Sequence, residues 1–125
     1  MAQQDIHAVL LDNDVGIAAI RELGERYVYR DQEAVQAYLG EHPHLANVLR
    51  EAEPEIVRHF DEAATVALDV FVDPDTIGEQ ILFGYIRTRL PPRDAVATLR
   101  RFDRESWIER SAPVRDELEF NIEME

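Results

Sequence analysis

The chain reads as an α+β protein: helices over residues 1–62, then a ββαβ unit over residues 63–125, with helices packed on one face of a small, mainly antiparallel three-stranded sheet. Three observations predict this. Apolar residues recur at three- and four-residue spacings through the first half, two stretches after Ala63 alternate with the period of a strand, and helical spacing returns after Pro91 before a final alternating segment. At 125 residues the chain is one domain, within the usual size of roughly 100–150.

The stretch DNDVGIAAIRELGERYVY sets Val15, Ala18, Ala19, Leu23 and Tyr27 at helical spacings, with Asp12, Asn13 or Asp14 as cap. The preceding IHAVLL is either a short strand or the approach to that helix. DQEAVQAYLGEHP predicts a short helix begun by Asp31 and stopped by Gly40 and Pro43. PHLANVLREAEPEIVRHF predicts a longer one, with Leu45, Val48, Leu49, Ala52, Ile56, Val57 and Phe60 on its buried stripe and a kink or break near Ala52–Glu53, ahead of Pro54.

TVALDVFVD and EQILFGYIRT are β-rich and joined by the Asp73-Pro74-Asp75 turn and Gly78, so they predict a hairpin. LPPRDAVATLRRFDRESWIERS returns to helical spacing through Ala95, Val96, Leu99, Phe102, Ser106 and Trp107, and Pro113 ends it. ELEFNIEM is the last strand. The most apolar strand, TVALDVFV, is expected in the centre, between its hairpin partner and the C-terminal strand. The alternative sets the last strand parallel to the second through a right-handed crossover.

Composition narrows the chemistry. No cysteine excludes disulfides, thiolate nucleophiles and Cys-based metal sites, and all 13 basic residues are Arg. A net charge of −13 argues against anionic membranes and nucleic acid and favours a basic partner. With no long apolar run and no basic leader at the N-terminus, a cytoplasmic protein is the expectation.

No motif announces a reaction. Ser106 and Ser111 lie in no G-x-S-x-G turn and near no evident His. Pro43 between His42 and His44 keeps the two imidazoles off one helical face, so no metal is assigned, and no cofactor either. A small metal-dependent or acid–base enzyme using Asp69, His59 and the strand glutamates is one alternative function. A nucleic-acid-binding regulator using the Arg87–Arg104 segment is another.

The strand faces point elsewhere. In the last strand Leu118, Phe120, Ile122 and Met124 face the core, leaving Glu117, Glu119, Asn121, Glu123 and Glu125 outside. That acid row either keeps a sheet edge from pairing with another chain or serves as a docking row. Phe71 joins this outer face, and so does one of the two apolar sets of the second strand, for which Leu82 and Ile86 are taken. An apolar patch beside carboxylates is the profile of a protein-binding surface. The expected partner-binding residues are therefore Phe71, Leu82, Ile86, Trp107, Glu117, Glu119 and Glu123, and the partner is a basic protein or a second copy of the chain.

HPHLANVLREAEPEIVRHF, Asp73-Pro74, LFGYIRTRLPPRDAVATLRRFDRESW and LEFNIE together resemble a group of short, uncharacterised bacterial proteins, over about residues 42–124. The shared pattern is HPxL, LxEA, a strand-DP-strand unit and FDxxW. The group's tandem aromatic appears here as Ser106-Trp107, and its Pro-Glu-Glu helix start as Pro92-Arg93-Asp94. Such proteins are similar to the smaller partners of toxin–antitoxin-like, HEPN-associated gene pairs. The resemblance implies a non-enzymatic, antitoxin-like neutraliser of a basic, RNA-cleaving or RNA-modifying partner, and it brings no catalytic residue.

Overall fold

A computed structural model describes residues 17–61, 64–75 and 78–125. Residues 17–26 are helical (α1) and are followed by β1 (Val28–Tyr29), α2 (Gln32–Glu41), α3 (Leu45–Phe60), β2 (Thr65–Val72), β3 (Gln80–Thr88) and α4 (Pro92–Phe102). A π-helical turn (Asp103–Trp107), α5 (Ile108–Ser111), a 3-10 turn (Ala112–Val114) and β4 (Leu118–Met124) complete the chain. The α+β class holds. Both the candidate caps Asp12, Asn13 and Asp14 and the IHAVLL stretch lie outside the described residues.

Local chemistry explains most boundaries. Asp31 caps α2, its carboxylate accepting from the Ala34 N–H at 3.1 Å, and Asp73 accepts from the Asp75 N–H at 2.9 Å in the hairpin turn. Gly78 takes a φ of 79°, which suits glycine. α2 ends at Glu41, between Gly40 and Pro43, and α3 is continuous across Pro54, so the break expected there does not occur. Pro54 lies on the exposed side of α3, where water can satisfy the carbonyl its ring leaves unpaired, while Leu45, Leu49, Ala52, Ile56 and Phe60 keep an unbroken buried stripe.

The sheet has four strands in the order β1-β2-β3-β4 and is mixed. β2 and β3 are antiparallel, whereas β1 runs parallel to β2 and β4 parallel to β3. The three-stranded arrangement with the last strand beside β2 is therefore corrected. β1 occupies that edge of β2, and α4 carries the chain back along β3, the connection that parallel neighbours require. Position 84 matters here: a Cβ on Gly84 would lie 2.5 Å from the Phe120 ring, so glycine lets β4's aromatic side chain cross β3 on the helical side.

Among the described residues the helices cover one face only. The core joins Leu23, Tyr27, Val35 and Leu39 to Leu45, Leu49, Ile56, Val66, Leu68, Leu82, Ile86, Phe102, Trp107 and Phe120, so the helical half and the ββαβ half share it. The π-turn places Trp107 in that core. The Ile108 N–H bonds the Asp103 carbonyl five residues back, and the extra residue swings Trp107 onto Phe102 (centroids 6.2 Å apart) and Phe120 (4.8 Å). Val96, at the helical spacing of the core residues, instead faces solvent.

Candidate functional site

The face of the sheet away from the helices carries the candidate site. Alternation along β3 sends Ile81, Phe83 and Tyr85 to this side and Leu82, Gly84 and Ile86 to the core. Leu82 and Ile86 are each 0 % exposed, and Trp107 is 6 % exposed. These three expected interface residues are corrected to core residues. Phe71, 47 % exposed, stands on the outer face as expected, and so do Glu119 and Glu123 of β4.

Three rings form a continuous aromatic row. Phe71 meets Phe83 edge-on at 5.8 Å, and Phe83 stacks on Tyr85 at 5.7 Å. Arg30, just after β1, lies across the sheet with its guanidinium 5.0 Å from the Tyr85 ring centre and its Nη2 donating to Glu123. Glu123 also stands 3.4 Å from Arg87 Nε. The hydrogen bond from Arg30 holds the Glu123 carboxyl below the ordinary glutamate range. One end of the face is thus closed by the chain's own cations.

Among the described residues the other end is open. Where β2 ends and β3 and β4 begin, a groove of about 760 Å³ has Phe71, Ile81, Phe83 and the edge of Tyr38 as its apolar lining. Its polar lining holds five carboxylates, Asp73, Glu79, Asp116, Glu117 and Glu119, against one arginine, Arg115. Glu117 is tied in place: its carboxylate bonds His44 Nε2, and its backbone carbonyl accepts from the Tyr38 hydroxyl at 2.8 Å. Burial first, then the carboxylates of Glu117 and Glu41, push the Tyr38 hydroxyl up to about 12. Glu119 forms no ion pair among the described residues, and after burial its carboxylate is the second cause that raises Asp103 above the ordinary aspartate range.

The acid row is therefore not uniform. Arg30 and Arg87 hold Glu123, Arg89 stands 3.6 Å from Glu125, and His44 bonds Glu117, which leaves Glu119 as the strand carboxylate turned toward the groove without a cation. The same pairs dissolve the Arg87–Arg104 segment as one basic surface. Arg87 pairs with Glu123 of β4 and Arg89 with Glu125 just after it, while Arg93, Arg100, Arg101 and Arg104 are exposed on α4 and the π-turn.

The residues named for acid–base chemistry are not brought together. Asp69 pairs in register with Phe83 on the outer face, whereas His59 projects from α3 against Phe102 in the helical layer, so the sheet stands between them. The structure does set a His beside Ser106, contrary to expectation: His59 Nε2 is 3.4 Å from Ser106 Oγ, and Glu105 is 3.6 Å from the same nitrogen. The serine hydroxyl, however, donates to Glu55 at 2.9 Å, and Arg58 pairs with that carboxylate at 2.7 Å. A nucleophilic serine needs its proton directed at the imidazole and the acid on the other ring nitrogen. This cluster braces α3 against the π-turn.

Among the described residues no three His, Asp or Glu side chains converge as metal ligands, and no helix is long and apolar enough to cross a membrane. His42 Nδ1 lies 2.9 Å from the Tyr38 carbonyl and its ring stacks on Tyr38, while His44 turns to Glu117. The chain matches no protein-family model, no curated protein and no solved structure.

Proposed function

We propose that this chain is a non-enzymatic protein-binding module, an antitoxin-like neutraliser whose partner is a basic protein. One observation carries the reading: the open face of the sheet bears an aromatic row running into a carboxylate-rimmed groove, and no described element covers it. Aromatic side chains in a half-enclosed site supply affinity by burying area, while surrounding carboxylates steer a cationic partner and raise its encounter rate. Neutralisation is then steric, the partner's working surface being held against the sheet.

The test is co-expression with the product of the neighbouring gene, followed by size-exclusion chromatography. A stable complex is expected, and the double variant Phe71→Ala, Phe83→Ala is expected to lose it while remaining folded. A lone monomer, or a complex indifferent to that double change, removes the reading. A homodimer would instead appear as a concentration-dependent doubling of mass in the chain alone.

A further inference from the structure

The outer face already contains one worked example of how it holds a cation. Arg30 lies over an aromatic ring of β3, Tyr85, and donates to a carboxylate of β4, Glu123. Nearer the start of the strands a ring of β3 and a carboxylate of β4 again stand together: Phe83, two residues before Tyr85, and Glu119, four residues before Glu123. Phe83 and Glu119 are direct register partners of the parallel β3–β4 pair, so their backbones are one strand spacing apart, about 4.8 Å. Phe71 stands edge-on beside Phe83 and forms a second wall. No guanidinium of the chain completes this second clip: Glu119 forms no ion pair among the described residues, and Arg115, at the groove's rim, does not reach it.

We infer that the groove receives an arginine side chain from a basic partner segment, its guanidinium lying over Phe83 and bonded to Glu119. This rests on the protein-binding reading and names the chemistry of its anchor. Arginine suits the site because a planar guanidinium can stack on a ring through its face while its N–H edge bonds a carboxylate. A lysine ammonium is compact and strongly hydrated and does not do both at once. The neighbouring Asp73, Glu79 and Asp116 extend the same preference along the groove, so a segment with further positive charge follows the anchor.

The experiment titrates the isotope-labelled full chain with a capped pentapeptide, Gly-Leu-Arg-Leu-Gly, and with its citrulline counterpart, which keeps the planar shape and loses the charge. Saturable chemical-shift changes at Phe71, Phe83 and Glu119 are expected with the arginine peptide, weakened about fivefold or more with citrulline and to a similar degree by Glu119→Gln or Phe83→Leu. Equal binding of the two peptides, or the absence of shifts at these residues, overturns the inference. A partner complex lost in Phe71→Ala, Phe83→Ala but untouched by Glu119→Gln also overturns it and leaves the protein-binding reading standing. Arginine-selective binding at these residues without any partner complex sustains the clip and removes that reading.

Discussion

Replacing Gly84 by alanine tests whether the contact between β3 and β4 is as tight as the packing implies. The added Cβ would sit 2.5 Å from both Cδ1 and Cε1 of Phe120, against about 3.5–4.0 Å for relaxed carbon contacts, so the ring must retreat by roughly 1 Å. It has little room to do so. Phe120 is 5 % exposed and wedged between Trp107 at 4.8 Å and Phe102 at 5.9 Å. Overpacking of this kind costs about 1–3 kcal/mol, and the reduced entropy of the unfolded alanine chain offsets about 0.4–1 kcal/mol of it. The net loss is about 1–2 kcal/mol, or roughly 3–8 °C in Tm for a domain of this size. Urea unfolding followed by the fluorescence of the single tryptophan, Trp107, reads the contact directly. Trimming the ring in the double variant Gly84→Ala, Phe120→Leu should recover about 1 kcal/mol relative to the sum of the single changes. An unchanged midpoint for Gly84→Ala, or strict additivity in the double variant, would refute the reasoning.

Three further outcomes follow from the same structure. Tyr27→Phe removes the hydroxyl that donates to the buried Leu49 carbonyl at 2.6 Å and should cost about 1 kcal/mol in urea unfolding, a neutral result refuting it. Burial pushes the Tyr29 and Tyr38 hydroxyls up to about 12 and Tyr27 higher still. Because these folded values exceed the ordinary tyrosine value of about 10, their contribution is complete below pH 10 and is lost as pH rises toward 12. Phenolate absorbance and circular dichroism should therefore change together in that window, and tyrosine ionisation near pH 10 with the fold intact would contradict this. On the acid side, Glu123 is held below its ordinary value first by the Arg30 hydrogen bond, so its contribution is present at neutral pH and lost as pH falls through that lowered value. Both side chains are one-third exposed, which limits the effect of Glu123→Gln to under about 1 kcal/mol at neutral pH. The gap between variant and parent should close once the pH has fallen below that lowered value, and a gap that persists in acid would assign the loss to packing instead.

Much of the site is local in origin, and some of it could be read in advance. Phe71, Glu119 and Glu123 occupy the outer face because period-two alternation in β2 and β4 sets one apolar side against one polar side. β3 is apolar on both sides, so its alternation does not by itself say which set faces inward. The signal that does is the parity of Arg87, which follows Ile81, Phe83 and Tyr85, while Gly84 shares a side with Leu82 and Ile86. Arg30 was out of reach for a different reason. It follows β1, a strand of two residues that is too short to show any period, and it bonds a residue 93 positions away.

The α+β class, the positions of α2, α3 and α4, the hairpin at Asp73-Pro74 and the inward face of β4 at Leu118 and Phe120 are encoded locally, because each rests on spacing or turn chemistry within a few residues. Long-range packing sets β4 parallel to β3 and sends Trp107 inward through the π-turn. It alone closes one end of the aromatic row with Arg30 and leaves the groove at Phe83 and Glu119 open. Those outcomes depend on which distant surfaces compete for the same space, above all the room that Gly84 leaves for Phe120, and no local pattern encodes that competition.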